Sequence, residues 1–570
     1  MNKRLRSALQ QDMSRRAFWV LVALVVLVKL LMARFQTVYV WVGGAPLDDE
    51  LMFRAAQSIT AGQWLGAYDW LTLSKHMFFA VWLAVCNLLH LPYLAAGQLL
   101  TCGAALACAF AFAFAPVLCR WKSRFALFAL LAFSPAATAS FTLRVYRDNI
   151  FPGLCMLFFA GLCGYALRCR RPVKQGIGWL VLSGVGLGLA WLTREDGVWL
   201  LPFAAAGTLI LILTALRDKG SLVKKLGRCA LLAVPYGLLA AAILVYSAVN
   251  YACYGLFAVS DFSSGSFAAA VGAMSRVKAE EWKPLCSVPT DVRMKLYDAV
   301  PELKPLEYWL EEDEDLQNSF RNPELDDYQS GSFYWALRKA AWNEGVYDSP
   351  QKAEEYWQQV ADAINALCDS GQLESNGPKR SSTTPPIRME YVPDVLAEGV
   401  RGLLHTLTFR DCAPYYADQR SLILPEDEAV YEAYLGQQVN SAAQAGSDLP
   451  YYSPLQKLVF AGMEAIRLVY AVGLPVLFAA AVVLQIRQGF RLLQLRKQKA
   501  IQPGQALLWV LLLGLVAMAL LRCFMIAFVE VASFNIGTST MYLSTVHPLL
   551  LLYSGAGILT LWRKNQWQTS

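Results

Sequence analysis

Residues 17–35, AFWVLVALVVLVKLLMARF, form a mostly apolar run that is long enough to cross a bilayer as a single helix. A hydrocarbon layer of ~30 Å requires roughly 20 such residues. Five Lys and Arg residues between positions 3 and 16 precede the run, and such a basic leader is also typical of a secretory signal. The run is longer than a signal-peptide core and no clear small-residue cleavage site follows it. We therefore predict a retained first span with a cytoplasmic N-terminus.

Further runs of the same character predict a polytopic membrane protein. Of the 570 residues, 56% are hydrophobic and only 16% are charged, and the mean hydropathy is +0.37. A soluble domain does not need so much apolar material to fill its core. We predict an all-α polytopic protein of about ten transmembrane helices. The predicted spans are residues 17–35, 93–118, 125–142, 150–167, 177–192, 198–216, 229–248, 458–484, 506–528 and 542–562.

Basic residues predict the orientation of these spans, because cytoplasmic loops carry more Lys and Arg than outer loops. The basic loops are residues 120–124, 168–174, 217–228, 487–499 and the tail residues 563–564. They share one side only if the short apolar run 77–91 does not span, so we predict that it is an interfacial or re-entrant helix at the outer surface. Both termini are then cytoplasmic. The predicted outer segments are residues 36–76, 144–149, 193–197, 250–454 and 530–541.

The long outer segment, residues 250–454, differs in charge from the rest of the chain. It holds about 32 acidic and 16 basic residues, against about 11 acidic and 34 basic residues elsewhere. Apolar residues at helical spacing predict helices over 333–344 and 353–370. We predict three parts: an N-terminal transmembrane catalytic module (1–249), a mostly helical extracytoplasmic domain (250–454) and a C-terminal transmembrane module (455–570).

The cysteines and the mid-span glycines do not form a cofactor motif. The thirteen cysteines lack zinc-ligand spacing, although the four in the long outer segment could pair with a connectivity that the sequence does not define. Gly184, Gly186 and Gly188 lie within a span and predict close helix packing. No Walker motif and no nucleophile elbow occurs, which argues against a nucleotide-driven pump and a serine hydrolase.

The most informative outer segment is Ala45-Pro46-Leu47-Asp48-Asp49-Glu50, which places three consecutive carboxylates near the end of the first span. Adjacent acids repel one another, so at the mouth of a membrane protein they require a cation, a proton or a basic partner. A solvated charge run, or acids in the first turn of a helix, explains the three residues equally well when they are taken alone.

Basic residues accompany these acids in the outer loops. Lys75 in Leu73-Ser74-Lys75-His76 directly precedes the run 77–91, where it could hold a lipid phosphate or simply snorkel at the membrane surface. The second outer loop reads Arg144-Val145-Tyr146-Arg147-Asp148-Asn149, and the third reads Thr193-Arg194-Glu195-Asp196-Gly197. Outer loops carry few basic residues, so these arginines require local partners. The acids at 48–50 or a bound phosphate would supply them, and ion pairs between neighbouring loops are the alternative.

This combination suits a transferase that uses an isoprenoid-phosphate sugar. The leaving phosphate requires positive charge, and the attacking hydroxyl requires a carboxylate base within hydrogen-bond reach. Asp49 is the first candidate for the base, with Asp48 and Glu50 as close alternatives. The candidate phosphate ligands are Lys75, Arg144 and Arg147. The predicted supporting residues are Asp148, Arg194, Glu195, Asp196, His76 and Tyr542.

A family resemblance adds to this interpretation. The first span, the acidic pair in the following outer loop and the Lys before an apolar half-helix resemble the GT-C superfamily of polyprenyl-phosphate-sugar glycosyltransferases. The segment from Asp48-Asp49-Glu50 through Gly62-Gln63-Trp64 and Tyr68-Asp69 to Lys75 is similar to a bacterial branch related to protein mannosyltransferases and aminoarabinose transferases, a glycosyltransferase family 39-like group. The resemblance covers roughly residues 16–248.

The resemblance implies roles for individual residues. The acid of the first outer loop, Asp48 or Asp49, would act as the general base or bind a metal, and Asp148 would contribute to the same site. Lys75 would correspond to the lysine that binds the donor phosphate. Here it is followed by His76 rather than the usual proline or glycine.

We accordingly predict a cell-membrane glycosyltransferase, of bacterial type, that transfers one sugar to an acceptor hydroxyl on the extracytoplasmic side with inversion at the anomeric carbon. The predicted partners are a lipid-linked sugar donor, a glycan, lipid or protein acceptor, and the membrane, but no nucleic acid. A divalent cation bound by Asp48, Asp49 and Asp148 is possible but not required. The alternatives are a flippase or transporter of lipid-linked saccharides, although a carrier should place its ionisable groups near the bilayer midplane, and a receptor with an acidic outer domain.

Overall fold

The structure is a computed structural model that describes residues 12–43, 45–115, 117–218, 220–262, 264–414, 420–498, 500, 502–535, 537 and 539–561. The first part of the predicted basic leader and the predicted basic tail at 563–564 lie outside these ranges.

Helices account for nearly all of the regular structure. The N-terminal part contains α1 Arg15–Phe35, α2 Leu51–Thr60, α3 Phe78–Leu88, α4 Tyr93–Ala111, α5 Trp121–Ala132, α6 Ser140–Leu143, α7 Phe151–Ala166, α8 Val173–Thr193, α9 Leu201–Arg217, α10 Leu222–Leu231 and α11 Val234–Tyr254. The long insertion contains α12 Ser266–Met274, α13 Thr290–Ala299, α14 Leu306–Glu311, α15 Glu314–Phe320, the antiparallel hairpin β1 Arg321–Asn322 and β2 Asp327–Tyr328, α16 Ser330–Asn343, α17 Pro350–Asp369, α18 Val392–Leu407 and α19 Pro425–Leu435. The C-terminal part contains α20 Pro454–Lys497, α21 Pro503–Val529, α22 Ser539–Tyr542 and α23 Val546–Leu561.

The predicted all-α polytopic membrane fold is confirmed. Within the described ranges, eight helical segments are long and apolar enough to cross a membrane, and they contain α1, α4, α7, α8, α9, α11, α20 and α21. α23 and α5 lie at two further predicted spans but have only 16 and 12 residues. α3, in the predicted interfacial run, has 11 residues. At 1.5 Å per residue it covers about 16 Å, roughly half of the hydrocarbon layer.

The predicted span 125–142 differs from the structure, which breaks it into pieces. α5 ends at Ala132, a 3₁₀ turn follows at Pro135–Thr138, and the short α6 comes next. Pro135 has no backbone N–H to continue the helix and disfavours helical geometry at the residue before it. The break positions the second outer loop, which begins directly after α6.

Two hydrophobic cores organise the described residues. One joins the membrane helices and includes Phe409, Tyr431 and Val439 from the end of the insertion. The other lies among α12 to α17 and includes Trp70 of the first outer segment. We call α12 to α17, residues 266–369, the outer unit. The predicted helices at 333–344 and 353–370 correspond to α16 and α17 of this unit. The predicted boundaries of the three parts of the chain stay a prediction, and all thirteen cysteines are free thiols.

Glycines bring α7 and α8 into direct backbone contact, as the mid-span pattern predicted. A Cβ on Gly186 would lie 2.5 Å from the backbone nitrogen of Phe158, and a Cβ on Gly161 would lie 2.4 Å from that of Ser183. A side chain at either of these two positions would therefore force the helices apart. The contact matters for the second and third outer loops, because α7 begins just after the second loop and α8 ends at the third.

We expect Gly186→Val to force α7 and α8 apart and to destabilise the protein by about 1–3 kcal/mol, the usual cost of overpacking. The matched control is Gly178→Val on the same helix, where a Cβ would meet nothing within 4 Å. The measurement is the thermal unfolding of both variants in the same detergent. Equal unfolding temperatures would contradict the close packing.

Candidate active site

The three consecutive acids lie on one turn but point toward different partners. Pro46–Glu50 forms a π-helical turn that runs directly into α2. The side chain of Asp49 is 1% exposed, whereas those of Asp48 and Glu50 are 31% and 22% exposed. Each carboxylate has its own basic partner, so the repulsion expected from the sequence is relieved pair by pair.

Asp49 is bound by Arg144 of the second outer loop. The guanidinium Nε donates to both carboxylate oxygens at 3.0 Å, and Nη2 donates to Oδ1 at 2.5 Å. The backbone N–H of Trp41 donates to Oδ2 at 3.2 Å. Burial raises the pKa of Asp49 above its ordinary value, and Arg144 opposes this rise. The pair therefore holds the first and second outer loops together inside the protein.

Asp48 lies at the partly exposed edge of the same cluster. Lys75 Nζ forms an ion pair with its Oδ1. The hydroxyl of Tyr146 donates to the same oxygen at 2.8 Å. Burial raises the pKa of Tyr146 to about 12, so the phenol keeps its proton and remains a donor at neutral pH. Asp48 is thus held by a cation and a neutral donor while part of its surface remains open.

Lys75 occupies an unusual electrostatic position. Its side chain is 10% exposed, and burial lowers its pKa well below the ordinary value. The nearby Arg147 lowers this pKa further, and Glu195 opposes the shift. The Nζ atom also lies 5.2 Å from the ring centroid of Trp335, which belongs to α16 of the outer unit.

Arg147 connects the second outer loop to the third. Its Nη1 donates to Glu195 at 2.7 Å, and its Nη2 donates to the hydroxyl of Tyr146 at 2.5 Å. The other oxygen of Glu195 accepts the backbone N–H of His76 at 2.9 Å. His76 Nδ1 donates to the carbonyl of Trp191 at 2.6 Å, and burial lowers the pKa of His76. Glu195 thereby fixes the backbone next to Lys75.

A second buried ion pair joins Asp148 and Arg194. The Arg194 Nη1 donates to the carboxylate of Asp148 at 3.1 and 3.3 Å, and Ser544 donates to the same carboxylate at 2.8 Å. Arg194 also pairs with Asp196 at 3.3 Å. Asp196 lies 2.7 Å from Arg522 of α21. The C-terminal helices therefore contribute to the cluster.

Residues just before α23 cover the arginines. The Arg194 guanidinium lies 4.6 Å from the ring centroid of Tyr542. Met541 accepts a hydrogen bond from Arg144 Nη1 on its sulfur at 3.5 Å. These contacts place Tyr542, which the sequence predicted as a supporting residue, beside the cluster.

The three short outer segments thus meet in one charge network. The network accounts for the arginines of the outer loops, because each of them has an acidic partner there. Glu50 pairs instead with Arg54 on the next turn of α2. The members are five basic and five acidic side chains, namely Lys75, Arg144, Arg147, Arg194, Arg522, Asp48, Asp49, Asp148, Glu195 and Asp196.

Reasoning from the sequence overlooked three contributors to this cluster. Arg522 carries the one basic charge in the apolar run 506–528, and an ionisable residue within a span is by itself a signal of a functional or buried partner. Tyr146 lies between two arginines that were singled out. Trp335 had no local signal, because it lies far from Lys75 along the chain.

The carboxylates do not fit a metal-ligand set. Within the part of the chain that the structure describes, no group of three or more His, Cys, Asp or Glu residues could hold a metal ion. Asp48, Asp49 and Asp148, the residues predicted for this role, each bind a lysine or an arginine instead. A cation would have to displace those basic partners, so no step below is assigned to a metal.

A small cavity of about 50 Å³ borders the network at Asp148. Ser544 and Asn149 add polar groups near that carboxylate, and Leu131 and Met156 are among its apolar lining residues. The cavity therefore joins the charge network to a lining of mixed, mainly apolar character.

Comparisons with known proteins give little further information. No protein-family model and no curated protein matches the chain. Two crystal structures of ArnT from Cupriavidus metallidurans are similar to it. The apo structure is 14% identical, covers 96% of this chain and 78% of that chain, and has a TM-score of 0.28. The structure bound to undecaprenyl phosphate is 14% identical, covers 95% and 78%, and also has a TM-score of 0.28.

Proposed function

We propose that the chain is a membrane glycosyltransferase that moves a sugar from a polyprenyl-phosphate donor to an acceptor hydroxyl on the extracytoplasmic side. The observation that carries this proposal is the ion pair between the partly exposed Asp48 and the buried Lys75 at the edge of a buried arginine cluster. Such a site offers a proton acceptor and a phosphate ligand side by side.

Lys75 is the proposed ligand of the donor phosphate, with Arg147 beside it. Both side chains point into the cluster from neighbouring loops, and Arg144 and Arg194 add positive potential behind them. In the free enzyme Lys75 is bound to Asp48. A donor phosphate would compete for Lys75 and leave the carboxylate of Asp48 free, so binding of the donor would prepare the base.

Asp48 is the proposed general base in preference to Asp49. A raised pKa would suit a base, but both oxygens of Asp49 are occupied by Arg144 and its side chain is only 1% exposed. A substrate hydroxyl could not approach it within hydrogen-bond reach. Asp48 is 31% exposed and lies next to the phosphate ligand.

The reaction follows from this placement. The acceptor oxygen attacks the anomeric carbon from the face opposite the phosphate, the new C–O bond forms, and the bond between that carbon and the phosphate oxygen breaks. The hydroxyl proton passes to Asp48, and the bonding electrons remain on the phosphate, where Lys75 and Arg147 balance the negative charge. Attack from the opposite face inverts the anomeric centre.

Two further features support this proposal. The small cavity beside Asp148 places polar groups of the charge network next to apolar side chains of the neighbouring helices. The resemblance of residues 16–248 to GT-C glycosyltransferases indicates the same chemistry. The acceptor would be a glycan, a lipid or a protein, reached from the side of the outer unit.

The first test is binding of undecaprenyl phosphate to the purified protein in lipid nanodiscs, measured by native mass spectrometry. We expect Lys75→Met to weaken binding about 10- to 100-fold, because a charge-assisted hydrogen bond to phosphate is lost. The matched control is Lys339→Met, which removes a lysine that lies 3.8 Å from the ring of Trp342 in the outer unit. The control should bind like the wild type.

The same binding should depend on pH through Lys75. Because its pKa is lowered and only the ammonium form binds phosphate, affinity should fall as the pH rises through that pKa, well below the ordinary lysine value. Above roughly pH 7 the phosphate has lost its second proton, so a series from about pH 7 to 10 reports on Lys75. Lys75→Arg should keep its affinity in this range. Wild-type binding that is constant over the range would contradict the assigned role.

A further inference from the structure

α18, residues Val392–Leu407, has one face packed on the membrane helices. A Cβ on Gly399 would lie 2.4 Å from the ring of Phe524 in α21, and a Cβ on Gly402 would lie 2.8 Å from Leu543. The helix therefore lies flush against the C-terminal spans, although it belongs to the insertion that the sequence places outside the membrane.

A second face of α18, beside the packed one, is apolar and exposed within the described part of the chain. Leu396, Val400 and Leu404 recur every four residues and are 53%, 50% and 54% exposed. Residues at this spacing form one stripe along a helix. Ile387 and Met389, just before the helix, are 84% and 79% exposed. In water, such a continuous stripe would be unfavourable.

The surroundings of the helix identify what covers the stripe. The ring of Tyr391 lies 6.1 Å from that of Phe528, in the last turn of the span α21. At the other end, the carbonyl of Phe409 accepts a hydrogen bond from Arg467 of α20 at 3.0 Å. Directly after Arg467, α20 exposes Leu468 at 54% and Val469 at 70%. The stripe is therefore continuous with the surface that these spans present to lipid.

We propose that α18 is an interfacial helix whose stripe of Leu396, Val400 and Leu404 is immersed in the outer leaflet of the bilayer. An amphipathic helix of this kind buries its apolar face at the boundary between headgroups and acyl chains. On the flank of the stripe, Arg401 forms an ion pair with Glu398 of the same helix. This inference does not depend on the proposed sugar transfer.

The lipid-facing helix α18 lies close to the candidate site. Leu543, on which Gly402 packs, follows Met541 and Tyr542. These two residues contact Arg144 and Arg194 of the charge network. The bilayer surface thus lies one layer of protein away from the candidate site, on the side of the C-terminal helices.

Spin-label accessibility in proteoliposomes of phosphatidylethanolamine and phosphatidylglycerol tests the proposal on the full chain. Single cysteines replace Leu396, Val400 or Leu404 in a background whose four incompletely buried cysteines, at positions 119, 169, 229 and 253, are changed to serine. Val472 of α20, 72% exposed on a span, is the lipid reference. Glu355 and Gln359, an exposed pair with the same four-residue spacing on α17, are the water reference.

The two relaxation reagents are oxygen, which concentrates in the bilayer, and a nickel complex, which stays in water. Spin labels on the stripe should collide more often with oxygen than with the nickel complex, as at Val472. At Glu355 and Gln359 the nickel complex should collide more often. Access of the nickel complex equal to that at Glu355 would overturn the proposal, because the stripe would then face water. Protection from both reagents would also overturn it, because a second copy or another protein would then cover the helix.

Discussion

Replacing Asp48 with asparagine should abolish sugar transfer while the protein remains folded and still binds undecaprenyl phosphate. Asparagine has nearly the same shape as aspartate and can still accept the hydrogen bond from Tyr146, but it cannot take the proton of an acceptor hydroxyl. Loss of a general base typically costs a factor of ~10² to 10⁴ in turnover. The measurement is release of undecaprenyl phosphate from a panel of undecaprenyl-phosphate sugars by proteoliposomes supplied with a membrane extract as the source of acceptors.

Binding of undecaprenyl phosphate to the Asp48→Asn variant distinguishes loss of the base from a disturbed or unfolded site. In the wild type Asp48 holds Lys75 in an ion pair, so the asparagine variant releases the lysine to the phosphate. We therefore expect its affinity for undecaprenyl phosphate to be equal to or higher than that of the wild type. A variant that loses turnover and binding together would point to a disturbed site, and undiminished turnover would remove Asp48 from the reaction.

Two other acids serve as comparisons for Asp48→Asn. Glu324→Gln, on the exposed turn of the β1–β2 hairpin, should leave turnover unchanged. Glu50→Gln tests the alternative base, because Glu50 is 22% exposed on the same turn but pairs with Arg54. Loss of turnover in Glu50→Gln together with normal turnover in Asp48→Asn would assign the base to Glu50. If the wild type binds undecaprenyl phosphate but no sugar donor of the panel turns over, a lipid carrier becomes the better interpretation.

The length of the apolar runs predicts most of the membrane helices. The first span was predicted at 17–35 and the structure has α1 at Arg15–Phe35; the ninth was predicted at 506–528 and α21 runs over Pro503–Val529. The prediction failed at 125–142, because hydropathy sums do not register the missing N–H of Pro135. Helix length is set by hydrogen bonding as well as by apolar surface.

The sequence indicated which residues belong to the candidate site, but not which acid pairs with which basic residue. Arg144, Arg147 and Arg194 stood out because they violate the charge bias of outer loops. Which acid each arginine binds depends on loop geometry within a few ångströms, and spacing along the chain does not define it. For the same reason the sequence did not distinguish the buried Asp49 from the exposed Asp48, whose directions are fixed by a π-helical turn.

Contacts contributed by the insertion were beyond reach of the sequence. Trp335 meets Lys75, and Arg338 of the same helix donates to the carbonyl of Trp70 at 2.9 Å. Both contacts arise because α16 packs against the first outer loop. No periodicity or motif predicts such a contact between segments that are far apart in the sequence. The outer unit is therefore part of the site wall, although its sequence indicates only a soluble helical segment.

The buried ion pair of Asp49 and Arg144 should contribute strongly to the stability of the protein. Arg144→Met should destabilise the protein by about 3–5 kcal/mol, because it leaves a buried carboxylate without its partner. The control Arg54→Met removes an arginine that is 75% exposed and pairs with the adjacent Glu50. An exposed pair contributes little, so we expect no measurable change there. Thermal unfolding in one detergent at fixed pH compares the two variants.

The loss of stability in Arg144→Met should become larger as the pH rises. Burial raises the pKa of Asp49 even when Arg144 is present, and without the guanidinium nothing in that pair opposes the rise. The folded variant then binds a proton more tightly than the unfolded chain does, so it gains stability as the pH falls through the raised pKa. The gap to the wild type should be largest at alkaline pH and smaller near about pH 5. A gap that widens on acidification would contradict a buried, unpaired carboxylate.

The double variant Asp49→Leu with Arg144→Met separates the role of the charges from that of the packing. Apolar residues of similar volume often replace a buried ion pair without loss of stability, so the double variant should unfold closer to the wild type than Arg144→Met does. Asp48, Lys75 and Tyr146 would be unchanged in it, and undecaprenyl phosphate should still bind. If the double variant is no more stable than Arg144→Met alone, the two residues are not energetically coupled, and the link between the first and second outer loops must rest on other contacts.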